Sequence, residues 1–287
     1  MSHLIRTLTL LAAVTVATPV IAQSGDAERG AYMLVAAGCV ACHTVLKDGA
    51  FLAGGRELKT DFGSFFTPNI TPDPETGLGN WSDEDFIRAM KKGVSPDGGR
   101  YYPTFPYTSY TRMTRQDMLD LKAYLDTVPP VRNAVPDHDL AFPFGIRASM
   151  IGWQLLFFDD TPFEADTTKS DAWNRGAYLV NGPGHCGECH TPRNLLGVVD
   201  SGRPLAGNAN GPEGDAVPNI TPHSSGIGGW SEDDIVSMLE VGLLPDGDFA
   251  GGAMTDVIEE STSKLSEDDR KAIASYLLSL PPLADAQ

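Results

Sequence analysis

The sequence is poor in basic residues and has no long apolar run. It contains 21 Lys and Arg against 38 Asp and Glu, which gives a formal charge of −17. This deficit of positive charge argues against a nucleic-acid partner, because phosphates would be repelled. An apolar run at residues 8–16 is too short to span a membrane comfortably, and a second at residues 142–158 is short and interrupted by Gly and Arg. We therefore expect contact with a membrane to be peripheral at most.

The first 22 residues have the pattern of an export signal. Arg6 gives a basic start, an apolar core follows, and Val20-Ile21-Ala22 provides a small-residue cleavage site. We expect cleavage near Ala22 and a mature protein in a bacterial periplasm.

Cysteine is scarce as well, and all 4 cysteines lie in two copies of a Cys-x-x-Cys-His pattern. Two thiols at this spacing can bond the two vinyl groups on one edge of a porphyrin, and the adjacent imidazole can ligate its iron. Two disulfides, a redox dithiol or a zinc site would leave both histidines unexplained. We therefore predict two covalently bound haem c groups. The residues that would hold them are Cys39, Cys42 and His43, and Cys186, Cys189 and His190.

The sequence repeats itself well beyond these motifs. The paired segments are Arg29–Tyr32 with Arg175–Tyr178, Thr67–Pro72 with Val217–Pro222, Gly79–Ser82 with Gly228–Ser231, and Pro129-Pro130 with Pro281-Pro282. Such self-similarity indicates a tandem duplication. We expect an all-α chain with two tandem domains, each around a covalent haem. The first half would cover residues 23–130 and the second half residues 172–287, with a linker at residues 131–171.

Helix start signals occur at matching places in the two halves. Ser82 and Ser231 precede acidic first turns, which suits an N-cap residue and the positive end of the helix dipole. Thr114 and Ser266 precede the last helices, and each is followed three residues later by Asp in a pattern that resembles a capping box.

A glycine lies in the first helix of each half, which we predict at residues 27–37 and 172–181. We expect Gly30 to let the first helix of its half approach the last helix closely, against Tyr124. Gly176 would do the same in the second half, against Tyr276.

A haem used for electron transfer normally has a second axial ligand, and a methionine thioether raises its potential. In the second half we predict Met254, which lies in a Gly-rich loop, over Met238, which lies within a helix. In the first half Phe105 lies about where such a methionine would be. We predict Met113 as the ligand there, although it could pack as an apolar staple residue before the helix. The reserve ligands are Met150, Met90, Met118 and His138, and with none of them bound that haem would be open.

The linker has an apolar and aromatic centre. It includes Phe142, Phe144, Trp153, Phe157 and Phe158. We expect a docking segment or short helix that packs the two halves together. The alternative is contact with a membrane or a partner.

Taken together, these motifs resemble the cytochrome c subunits of bacterial alcohol, gluconate and related dehydrogenases. The shared segments also include Phe-Pro-Tyr-Thr-Ser-Tyr at residues 105–110 and Arg-Gly-Ala-Tyr-Leu-Val at residues 175–180. The resemblance covers nearly all of the chain after residue 22. It implies class I cytochrome c domains that relay electrons from a catalytic subunit toward a quinone or oxidase. Those subunits commonly carry three haems and some have a C-terminal anchor, whereas this sequence has two motifs and we expect no anchor.

The sequence shows no paired carboxylates and no nucleophile–base arrangement that would indicate catalysis. We expect an electron-transfer protein and not an enzyme, with a dehydrogenase as donor and a cytochrome, quinone or oxidase as acceptor. The alternative is a dihaem enzyme of the peroxidase class, because Phe105 replaces the expected methionine. The acidic excess would either steer a basic partner or only keep the protein soluble.

The haem count is directly testable. Mass spectrometry of the mature protein should show two haem adducts that survive denaturation, because thioether bonds are covalent. A single adduct, or haem that is lost on acid–acetone extraction, would contradict the prediction.

Overall fold

The computed structural model describes residues 24–45, 47–211 and 214–285, so the predicted export signal lies outside the described residues. The described residues form eleven α-helices, one 3₁₀ turn at Thr262–Lys264 and three short strands. The helices are α1 (Ala27–Ala36), α2 (Cys39–His43), α3 (Asp83–Lys92), α4 (Tyr107–Tyr110), α5 (Arg115–Leu125), α6 (Ser149–Phe157), α7 (Asp171–Asn181), α8 (Gly187–His190), α9 (Glu232–Val241), α10 (Ala253–Glu260) and α11 (Glu267–Leu278). The strands are β1 (Glu57–Thr60), β2 (Gly63–Phe66) and β3 (Asp139–Leu140).

The first and last helices of each half pack against each other, α1 on α5 and α7 on α11. A Cβ atom added to Gly30 would lie 1.9 Å from the carbonyl oxygen of Asp120 and 2.8 Å from the Cβ of Tyr124. One added to Gly176 would lie 1.9 Å from the carbonyl oxygen of Ala272, with the Cβ of Tyr276 at 3.0 Å. The predicted close approach at a glycine is confirmed in both halves.

The middle helices α3 and α9 begin as the sequence indicates. The side chain of Ser82 accepts a hydrogen bond from the backbone N–H of Asp85, whose carboxylate accepts one from the backbone of Ser82. Ser231 and Asp234 form the same reciprocal pair. Both helices then pack against the last helix of their half.

The capping boxes predicted for the last helices form only in part. The hydroxyl of Thr114 accepts a hydrogen bond from the backbone N–H of Asp117 (3.0 Å), as expected. However, the backbone N–H of Thr114 donates to the hydroxyl of Tyr178 (3.1 Å), and that hydroxyl donates to the Asp117 carboxylate. A tyrosine of the second half thus completes the cap in the first half.

The same exchange occurs in the opposite direction. The backbone N–H of Ser266 donates to the hydroxyl of Tyr32 (3.1 Å), which donates to the carboxylate of Asp269 (2.6 Å). Tyr32 belongs to the Arg-Gly-Ala-Tyr segment of the first half, and Tyr178 is its counterpart in the repeat. Each half therefore closes the start of the other half's last helix.

The chain is mainly helical, but the expectation of an all-α chain is corrected by a three-stranded antiparallel sheet in the order β1-β2-β3. Strands β1 and β2 form a hairpin in which Thr60 lies opposite Gly63. Strand β3 comes from the linker, where Asp139 lies opposite Ser64. The strands have only four, four and two residues, which is too short for an alternating apolar pattern to be recognisable.

The predicted linker helix is present as α6, and it contacts both halves. Gln154 is buried and donates to the carbonyl of Lys92 (3.2 Å), while the indole N–H of Trp153 donates to the carbonyl of Leu196 (2.9 Å). Much of its apolar surface nevertheless faces outward, since Leu155 is 85% exposed and Phe142, which precedes the helix, is 88% exposed. None of the helices in the described part of the chain is long and apolar enough to cross a membrane.

The glycine contact predicts opposite effects for two Gly→Ala substitutions within helices. Gly30→Ala forces a methyl group against the backbone of α5 and should destabilise the holoprotein by about 1–3 kcal/mol. Gly152→Ala is the matched control, because no atom lies within 4 Å of a Cβ added there. It should be neutral or stabilise by up to about 1 kcal/mol. Denaturant unfolding measures both, and equal effects of the two substitutions would contradict the packing argument.

Candidate haem-binding sites

The four cysteines lie on or beside two short helices, α2 and α8, and all four thiols are free. Burial raises the pKa of Cys39 and of Cys186 to about 12, so both are protonated thiols at neutral pH. Within residues 24–45, 47–211 and 214–285, no group of three or more His, Cys, Asp or Glu side chains is arranged to hold a metal ion.

The two motif histidines are held in the same way. The Nδ1 atom of His43 lies 2.8 Å from the carbonyl oxygen of Pro68, and that of His190 lies 2.8 Å from the carbonyl oxygen of Pro218. Because a carbonyl can only accept, Nδ1 carries the proton and Nε2 keeps its lone pair. Burial lowers the pKa of both imidazoles, which favours the neutral form that ligates metals. The residues of both sites therefore fit an axial ligand and an attachment pair for haem c.

The Pro-Asn-Ile-Thr-Pro segment also connects each histidine to the chain that follows the last helix of its half. The side-chain amide of Asn69 donates to the carbonyl of Val131 (2.7 Å), and that of Asn219 donates to the carbonyl of Leu283 (2.7 Å). Val131 and Leu283 each follow the Pro-Pro pair that ends a half. The sequence showed this segment only as a repeat, and its role as a clamp comes from the structure.

The structure places Met254 differently from the expectation. It lies in the first turn of α10 and is half-buried, not in a loop. Val94 pairs with Arg100 in the first half, and Leu243 pairs with Phe249 in the second. Phe105 lies five residues after Arg100, and Met254 lies five residues after Phe249, so the two positions correspond. A phenylalanine therefore occupies the equivalent position in the first half, as the sequence indicated.

Met113 lies immediately before the cap of α5, where its counterpart before α11 is Leu265. Both are buried, and Met113 is 1% exposed. An apolar residue before the N-cap is therefore common to the two halves, and the thioether is particular to the first.

The other candidate ligands are spread through the molecule. Met90 and Met118 lie in the apolar core, and Met238 packs against it. Met150 is half-buried in α6. His138 is half-buried, and its Nδ1 accepts a hydrogen bond from the backbone N–H of Phe66 (3.2 Å).

The attachment segments of the two halves are neighbours. A Cβ atom added to Gly38, next to Cys39, would lie 4.0 Å from Nε2 of His185, next to Cys186. Between them, the hydroxyl of Tyr110 donates to the carbonyl of Ala37 (3.0 Å), and its ring packs edge-on against His185 at 5.5 Å. The two candidate sites therefore adjoin across one junction.

Sequence reasoning missed the role of Glu188, which lies between Cys186 and Cys189. Its carboxylate accepts hydrogen bonds from Thr108 (2.6 Å) and Ser109 (2.7 Å) of the first half and pairs with Arg193. Burial alone would raise the pKa of Glu188, but the Arg193 charge and the two hydroxyls outweigh it and hold the pKa below its usual value. The sequence did contain a sign of this role, because Glu188 occupies the position at which the first motif has the small residue Ala41.

Comparison with known proteins gives a consistent result. The cytochrome c family profile matches residues 27–129. The chain is 47% identical to a dihaem c-type cytochrome of Cereibacter sphaeroides, over 91% of this chain and 88% of that protein. It is 42% identical to the fructose dehydrogenase cytochrome subunit of Gluconobacter japonicus, over 94% of this chain and 55% of that subunit. It is 40% identical to the cytochrome c subunit of a quinone-type alcohol dehydrogenase of Gluconobacter oxydans, over 91% and 56%. The chain thus spans little more than half of these dehydrogenase subunits.

Leucine substitutions test the two predicted methionine ligands. Met254→Leu and Met113→Leu should each abolish the weak methionine–iron charge-transfer band of one haem and lower its potential, because the thioether favours the reduced iron. Leucine preserves the packing at position 113, since the second half carries Leu265 there. Met118→Leu is the control, because Met118 lies in the core.

Optical spectra and redox titration of the holoprotein measure both effects. If Met113→Leu leaves spectrum and potential unchanged, Met113 is not a ligand. The first haem would then take Met150 or His138, or remain open.

Proposed function

The chain belongs to the dihaem c-type cytochromes, and on this basis we propose that it is a periplasmic electron carrier between a dehydrogenase and a downstream respiratory acceptor. Two haem c groups are bound covalently. Each supplies a one-electron redox centre when bound. In this proposal the first haem is held by Cys39, Cys42, His43 and Met113, and the second by Cys186, Cys189, His190 and Met254.

The observation that supports the proposal most directly is that the two histidine sites are equivalent and adjacent. Both imidazoles are oriented by the same 2.8 Å bond to a proline carbonyl. Fixed ligands reduce the rearrangement that accompanies a change of charge, which suits electron transfer. The junction at Tyr110 and His185 brings the two attachment segments together, as a relay between two centres requires.

A dehydrogenase as donor is supported by the relatives, which are named as cytochrome subunits of fructose and alcohol dehydrogenases. The proposed class of function is therefore a subunit or soluble partner of such an enzyme. The electron acceptor in this proposal is a cytochrome, a quinone or an oxidase. The periplasmic location is supported by the export pattern of residues 1–22.

One observation favours a second function. Phe105 occupies the position that Met254 has in the second half, so the first haem depends on another residue for its sixth ligand. Without such a ligand that haem would be open to small molecules, as in a dihaem enzyme of the peroxidase class.

Two surfaces suit a protein donor. The acidic excess would speed the encounter with a less acidic face, because complementary charge acts mainly on the association rate. The outward face of α6, with Leu155 and Leu156 exposed, would instead suit a lasting apolar contact with the dehydrogenase.

Ionic strength distinguishes these two modes. We predict that reduction of the cytochrome by its native dehydrogenase slows as salt rises, because screening acts over about 10 Å at 0.1 M. Stopped-flow absorbance measures the rate, and the haem potentials, which should change little, are the control. A rate that stays flat with salt would rule out steering. Co-elution of the two proteins at high salt would then identify the apolar complex.

A further inference from the structure

Arg56 connects the two halves beside the first haem motif. One guanidinium nitrogen donates to the carbonyl of Ala41, which lies between Cys39 and Cys42 in α2. The other donates to the carboxylate of Asp256 in α10 of the second half (2.7 Å). The Arg56 and Asp256 side chains are 22% and 26% exposed, so solvent screens this pair less than it screens a surface pair.

Asp256 lies two residues after Met254, on the helix that packs against α2. Arg56 therefore links two helices: its hydrogen bond to Ala41 holds the attachment helix of the first haem, and its ion pair with Asp256 holds the helix that carries the proposed sixth ligand of the second.

In the second half, the corresponding arginine finds its counter-charge within the motif itself, and no ion pair to the first half is involved in that contact. Arg193 donates to the carbonyl of Glu188 (2.8 Å), which is the same place in the motif as Ala41, and it pairs with the carboxylate of Glu188 itself. In the first motif, Ala41 offers no carboxylate. The counter-charge for Arg56 therefore comes from the other half.

We propose that Arg56 and Asp256 act as an electrostatic pair that sets the reduction potential of the first haem. The inference rests on the proposed function, in which haem is attached at Cys39 and Cys42. A nearby cation disfavours the oxidised centre, which carries one more positive charge, and a nearby carboxylate stabilises it. The potential of the first haem thus depends on a residue of the second half.

Charge-removing substitutions of similar size test the proposal. Arg56→Gln removes the cation and leaves Asp256 unpaired, so the potential of the first haem should fall. Asp256→Asn leaves Arg56 unpaired, so the same potential should rise. Redox titration of the holoprotein measures both, with each haem identified by its assigned methyl resonances in NMR spectra. Arg132→Gln is the control, because Arg132 pairs with Glu75 at an exposed position and should leave both potentials unchanged.

The opposite directions of the two potential shifts distinguish an electrostatic effect from a structural one. If the pair only held the halves together, either substitution would break it and both would shift the potential in the same direction. That result, or no shift in either variant, would overturn the proposal. Failure of the proposed function would look different, because the unsubstituted protein would then lack two reversible one-electron centres.

Discussion

The contact between the first and last helix at a glycine is the constraint on which the geometry of each candidate haem site depends. In the first half, Gly30 brings α1 against the backbone of the second half of α5. The chain after α5 is held at Val131 by Asn69. The residue before Asn69 is Pro68, whose carbonyl orients the imidazole of His43. The second half repeats these contacts through Gly176, Asn219 and Pro218.

The halves also complete each other. Tyr32 and Tyr178 close the last helices across the boundary, Thr108 and Ser109 hold Glu188 inside the second motif, and Arg56 reaches α10. Each half contributes contacts to the other, but the two sets of contacts differ, because the first motif has Ala41 where the second has Glu188. Two sites of the same origin therefore have different electrostatic surroundings. In the proposed function, such a difference would give the two haems different reduction potentials.

Local patterns in the sequence predicted the features that depend on neighbours in the chain. The caps at Ser82 and Ser231 and the helix glycines are of this kind, and their predictions are confirmed. Contacts between the halves could not be derived in this way. The acids after Thr114 and Ser266 read as capping boxes because a tyrosine arriving from the other half leaves no local signal.

The haem motifs themselves were recognisable because attachment chemistry fixes both residue type and spacing. The carbonyl partners of the two histidines were not, because any residue can supply a backbone oxygen at the required place. The hydrogen bond between Phe66 and His138 was not predictable either, because it forms where the linker pairs with β2 through β3, a strand of two residues.

In the proposed function, both haems would be closed, six-coordinate electron-transfer centres. Low-temperature EPR of the oxidised holoprotein tests this most directly. We expect two low-spin ferric signals, each with half of the total haem. A high-spin signal that contains half of the haem, in a protein that also consumes hydrogen peroxide, would contradict it and indicate an enzyme with one open site.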